Sequence, residues 1–135
     1  MNLAKALQIL GGDFSECEVA RNRNYASSKS GRGSLSVRYH YSKMYDGGNI
    51  WWTSELPRNL GDCDYLIVAL QNRGLLVLPR DVVLLQYWEK LNVSTLKNGR
   101  RNIRVREDNG RLVLYNRKSQ DVVDVTEFLH PCEVD

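Results

Sequence analysis

Leu3, Ala6, Leu7 and Leu10 recur at helical spacing ahead of Gly11-Gly12, which predicts a short amphipathic helix that stops there. The following run from Asp13 to Gly33 has no apolar period and ends Ser-Ser-Lys-Ser-Gly-Arg-Gly, so a loop is expected, basic and flexible over about residues 19–33. From Ser34 to Tyr41 the alternation is strict. It sets Leu35, Val37, Tyr39 and Tyr41 on one strand face and Ser36, Arg38 and His40 on the other, with the tyrosines expected core-side and Arg38 and His40 toward solvent. Asp46-Gly47-Gly48 predicts a turn into a second strand, Ile50-Trp51-Trp52-Thr53.

Two apolar runs, Tyr65 to Leu70 and Leu75 to Leu78, flank Gln71-Asn72-Arg73-Gly74 and read as a hairpin buried on both faces at the sheet centre. Pro79 ends it. Asp81 then has the chemistry to cap a helix running to about Leu91, with Leu84, Trp88 and Leu91 on one face. Asn102 to Glu107 and Arg111 to Asn116 flank Asp108-Asn109-Gly110, where Asn-Gly suits a type I′ turn. That turn pairs Asp108 with Arg111, Arg106 with Val113 and Arg104 with Tyr115 on a solvent face, leaving Ile103, Val105, Leu112 and Leu114 inward. Asp124 and Glu127 have capping-box spacing and predict a short terminal helix. The sum is an α+β fold, a largely antiparallel or mixed sheet with helices packed on one face, in a single domain spanning 1–135.

Charge sharpens this picture. From Val19 to Tyr45 there are six cations, no carboxylate and four of the seven tyrosines; from Lys97 to Lys118 there are eight basic residues against Glu107 and Asp108. Ser119 to Asp135 instead holds five acids and no lysine or arginine. Of the 19 cations 13 are arginine, whose planar fork matches phosphates and base edges. Two basic arms are therefore candidates for nucleic-acid contact: Arg21, Arg23, Lys29, Arg32, Arg38 and Lys43 in the first, and Arg100, Arg101, Arg104, Arg106 and Arg111 in the second. Tyr25 or Trp51 would stack on a base. Cys17, Cys63 and Cys132 form no close pair, no apolar run reaches membrane-spanning length, and a cytoplasmic protein is expected.

Catalytic patterns are incomplete. His40-Tyr41-Ser42-Lys43 alternates faces on a strand and makes no nucleophile–base pair, and Asp62-Cys63-Asp64 offers two carboxylates only. The segment from Asp64 to Arg80 resembles the core hairpin of the PD-(D/E)XK nucleases, in which an aspartate opens one strand and acid-x-lysine lies on the next. Asp64 matches the first acid, but Leu78 stands at the second, Pro79 at the spacer and Arg80 at the lysine, so the resemblance implies a degenerate copy without the usual metal site. In a second alignment, to small intron-associated members of that superfamily, Asp64 to Pro79 follows the catalytic hairpin. The active acids are then sought upstream among Asp13, Glu16 and Glu18, where the lysine is missing at the proper step.

The expected function is accordingly a nucleic-acid-binding module, DNA before RNA, with no cofactor. The alternative is a magnesium-dependent endonuclease using Asp64, Glu18 and Glu16. A second alternative is a protein-interaction or inhibitor module that grips a partner through the acidic tail Asp121 to Asp135. A homodimer is left open.

Overall fold

The computed structural model describes residues 18–19, 25–30, 33–45, 47–53, 56, 63–93, 100–118 and 122–134. The helix expected from Leu3 to Leu10 lies outside them. The strands β1 (Glu18–Val19), β2 (Tyr25–Ser30) and β3 (Gly33–Ser42) pair antiparallel in succession. Much of the stretch whose composition predicts a loop is therefore strand, because a ladder to a good neighbour satisfies backbone groups whatever the side chains are.

Gly47 and Gly48, at φ 76° and 106°, turn the chain out of this sheet and into β4 (Ile50–Trp52). The chain then returns as β5 (Tyr65–Leu70), parallel to β3 in the register Val37↔Tyr65 through Ser42↔Leu70. Parallel neighbours require a crossover, and here the crossing strand belongs to the opposite sheet. A tight turn with Asn72 at φ 63° leads into β6 (Gly74–Pro79), which pairs with β5 along its whole length, as the two apolar runs predict.

One helical segment of 11 residues follows, here α1. It begins as α-helix at Arg80–Val82, widens to a π turn over Val83–Tyr87 and tightens to 3-10 geometry over Trp88–Lys90. No side chain caps its start; the N-cap position is Pro79 rather than Asp81. The wide turn brings Val83, Tyr87 and Trp88 together on the buried side, whereas regular spacing selects Leu84, which is only half-buried.

The short strands β7 (Asn92–Val93) and β8 (Arg101–Asn102) pair with each other before β9 (Arg104–Asp108) and β10 (Arg111–Tyr115) form the expected hairpin. Its pairs Asp108↔Arg111, Arg106↔Val113 and Val105↔Leu114 agree with the predicted register, and Asn109 and Gly110 carry the positive φ of the turn. After β11 (Val122–Asp124) a single 3-10 turn, Thr126–Phe128, leads into β12 (Leu129–Pro131). The expected short terminal helix is reduced to this one turn, with Val125 rather than Asp124 at its N-cap. The Asp124 carboxylate does accept from the Thr126 N–H at 2.9 Å, yet β11 pairs with β10 and β12 with β6, so the two sheets claim the backbone on either side of the turn.

The result is a six-stranded mixed sheet in the order β1-β2-β3-β5-β6-β12 and a four-stranded antiparallel sheet in the order β11-β10-β9-β4. The core lies between them: Leu66, Val68, Leu70, Leu76 and Leu78 from the larger sheet, Trp51, Val105, Leu112 and Leu114 from the smaller, and Val83, Tyr87, Trp88 and Leu91 from the helical side. This is an α+β fold. Ile67, Ala69 and Leu75, on the opposite face of the larger sheet, are also fully buried. Among the described residues no helix is long and apolar enough to cross a membrane.

Burial on both faces reverses one expectation. The register sets Arg38, His40 and Ser42 beside Leu66, Val68 and Leu70, on the face that meets the inter-sheet core. His40 is therefore 3% exposed, while Tyr41, expected core-side, is 43% exposed. Alternation reports which residues share a face, not which layer that face meets.

Candidate nucleic-acid interface

The outer face of the four-stranded sheet follows from its pairings. Ile50↔Arg106 and Trp52↔Arg104 join β4 to β9, Arg106↔Val113 joins β9 to β10, and Val113↔Asp124 and Tyr115↔Val122 join β10 to β11. Trp52, Arg104, Arg106 and Tyr115 thus share the surface opposite Trp51, Val105 and Leu114.

Trp52 is held by its backbone and by its ring. Its N–H donates to the Ser42 hydroxyl at 2.9 Å, which ties β4 to the end of β3. Tyr45, bridged to Ile50 on the open side of β4, stacks on the indole with ring centroids 3.7 Å apart and planes 11° apart. From β9, on the other side, the Arg104 guanidinium carbon lies 5.0 Å from the same ring centroid. One strand further, the Arg106 guanidinium carbon lies 5.1 Å from the Tyr115 ring. Rings and cations therefore alternate across β4, β9 and β10, with each cation oriented by the aromatic quadrupole beneath it.

The five arginines of the second basic arm differ in what else holds them. Arg111 donates to Asp124 at 2.8 Å, and that bond together with those from Thr126 holds the Asp124 carboxyl at about 2, well below its ordinary value. Arg106 donates from Nε to Asp108 at 2.9 Å. Arg101 turns away, donating to the Leu91 carbonyl at 3.0 Å and pairing with Glu89 at 3.4 Å, so it caps the end of α1. Among the described residues Arg104 has no ion-pair partner, and its Nε, removed from solvent, finds no hydrogen-bond acceptor. Arg100 is half-buried, and its charge repels that of Arg38.

Beyond Tyr115 the surface deepens into a cavity of about 440 Å³ lined by Arg106, Tyr115, Asn116, Arg117 and Val122. Asn116 shapes its floor. The amide donates to the Leu91 carbonyl and accepts from the Lys118 N–H, each at 2.9 Å, which fixes the turn bearing Arg117.

The described residues of the first basic arm do not gather on this surface. Arg21, Arg23 and Arg32 lie outside the described residues, and Lys29 and Tyr25 are placed by the backbone of β2 in the other sheet. Lys43 is exposed, and its carbonyl accepts from the Ser42 hydroxyl that also takes the Trp52 N–H. Arg38 is half-buried, with Nε donating to His40 Nε2 at 3.0 Å. Burial, and then the like charge of Arg38, push the His40 imidazole down to about 4. Burial and the neighbouring Arg100 lower Arg38 as well, and burial raises the Cys63 thiol, which is no activated nucleophile.

Trp51 requires correction as a stacking residue. It is 1% exposed, its indole N–H donates to the Gln71 carbonyl at 3.0 Å, and it belongs to the core. Trp52, one residue on, takes the outward position. Within the acidic tail, β11 pairs with the smaller sheet and β12 with the larger, Asp124 is engaged by Arg111, and Glu127 and Glu133 are exposed.

For the metal alternative, Asp64 is exposed at the start of β5 and Glu16 lies outside the described residues. Glu18 pairs with Ser27, Ser27 with Ser36, and Ser36 lies one step before the Val37↔Tyr65 pair, opposite Asp64. Three strand spacings, about 14 Å, therefore separate the Cα atoms of Glu18 and Asp64. Among the described residues no three His, Cys, Asp or Glu side chains gather as a metal site. Leu78, at the place of the second acid in the nuclease comparison, is buried opposite Leu66.

No family model, curated protein or solved structure matches this chain.

Proposed function

We propose that the protein binds nucleic acid, DNA in the first instance, through the outer face of the four-stranded sheet. The observation that carries the reading is Arg104, a half-buried guanidinium on the Trp52 ring without an ion-pair partner among the described residues. A desolvated cation gains from an anion, and a phosphate offers a matching bidentate acceptor. Arg117 and the terminal nitrogens of Arg106, whose Nε is bonded to Asp108, extend the surface's donors, while Tyr45, Trp52 and Tyr115 supply aromatic area. The separation of Glu18 from Asp64 favours binding over metal-dependent cleavage.

The test is the salt dependence of DNA affinity. Log affinity should fall linearly with log salt, and the double variant Arg104→Gln/Arg106→Gln should lower the slope by about one to two. A salt-independent affinity, or a slope unchanged by the double substitution, would remove this face from the interface.

A further inference from the structure

Three observations on the same face say which form of nucleic acid it suits. The first is width. A two-stranded ribbon enters the major groove, but β9 and β10 are inner strands flanked by β4 and β11. Four strands span about 14 Å between edge axes, before side chains, against a groove of about 12 Å. The second is the spacing of the rings. Trp52 and Tyr115 stand on either side of β9, about 10 Å apart at two strand spacings, whereas bases stacked in a duplex repeat at about 3.4 Å. Ring and guanidinium planes can also meet a base face only where the base has left the stack.

The third is the cavity. Its volume of about 440 Å³ falls within the ~300–1,000 Å³ of small-ligand pockets. One wall is the Tyr115 ring with Arg106 over it, another is the apolar, exposed Val122, and Arg117 contributes a second cation. The Arg106 bond to Asp108 uses Nε, so the guanidinium plane is fixed while its terminal nitrogens remain donors. Asn116 has its amide committed at both ends, to Leu91 and Lys118. The cavity is thus provided with stacking and charge rather than with a free amide to read a base edge.

We infer that the ligand is a single strand laid across β4, β9 and β10, with one nucleotide unit seated in the cavity at Tyr115 and little dependence on sequence. This rests on the proposed nucleic-acid function and narrows it. The phosphates follow Arg104, Arg106 and Arg117, and the base in the cavity stacks on the Arg106 guanidinium that lies over the Tyr115 ring.

Fluorescence anisotropy with a labelled single strand, as DNA and as RNA of the same sequence, and with the corresponding DNA duplex tests it at low salt. A single strand should bind at least about tenfold more tightly than the duplex, and Tyr115→Leu should weaken single-strand binding about tenfold while changing duplex binding less than twofold. Val122→Gln, an uncharged change at a surface-exposed cavity wall, gives the same discrimination if Tyr115→Leu fails to fold. Duplex binding as tight as single-strand binding, or single-strand affinity unmoved by the folded cavity variant, would overturn the inference and leave the nucleic-acid function standing. No binding of any of these ligands would overturn both.

Discussion

Acidification through the histidine range should weaken this protein because of one residue. His40 is 3% exposed, lies opposite Val68 in the β3–β5 register, and accepts from Arg38 at Nε2. A proton there would create a cation that is both desolvated and adjacent to another cation, and the imidazole accordingly ionises only at about 4 against an ordinary 6.5. The folded state therefore binds this proton less readily than the unfolded chain. The resulting stability is complete above about pH 6.5, falls progressively as pH drops toward 4, and changes no further below that. A difference of about 2.5 units corresponds to about 3 kcal/mol. Urea unfolding followed by tryptophan fluorescence at several pH values between 7 and 4 measures the loss, with His40→Gln as the reference, since its side-chain oxygen retains an acceptor near Nε2. Wild type should lose about 3 kcal/mol more than the variant across the window. Equal losses in the two proteins, or an NMR titration of His40 near 6.5, would refute the reasoning.

Other outcomes follow from packing and pairing. Gly74 sits at φ 144°, where a Cβ would run into the His130 carbonyl of β12, so Gly74→Ala should cost about 3 kcal/mol in chemical denaturation. Trp51→Ala should cost about 4 kcal/mol and Trp52→Ala clearly less, because only the former empties the core. Arg111→Gln should return the Asp124 carboxyl toward its ordinary value in an NMR titration with little change in stability at neutral pH, since the pair is exposed; its contribution is present above about 3.8 and lost as pH falls through about 2.

Local chemistry made several of these elements legible. Asn109-Gly110 specifies its turn, and two residues of loop then determine which side chains of β9 and β10 share a face, so Arg104, Arg106 and Tyr115 can be grouped from sequence. The β5–β6 hairpin is equally plain from its apolar runs. What sequence could not decide was set by distant partners. Trp51 and Trp52 are chemically identical neighbours, and only the pairing of β4 with β9, some fifty residues away, assigns one to the core and one to the surface. Tyr45 was hidden for the same reason, as its stacking depends on β4. Arg38 and His40 were misplaced because the larger sheet is covered on both faces. The cavity joins residues of β9, β10 and β11 and the turn after β10, and no linear spacing signals it.

The most direct test of the proposed interface is an NMR titration of the folded protein with a single-stranded oligonucleotide, observing the indole N–H signals of the three tryptophans and the arginine side chains. Trp52, Arg104 and Arg106 should shift with saturable dependence on ligand, while the indole of Trp51, bonded to the Gln71 carbonyl, and that of Trp88, in the core, should stay in place. Saturable shifts confined to the six-stranded sheet, with Trp52 and Arg104 unmoved, would contradict the assignment of the binding face.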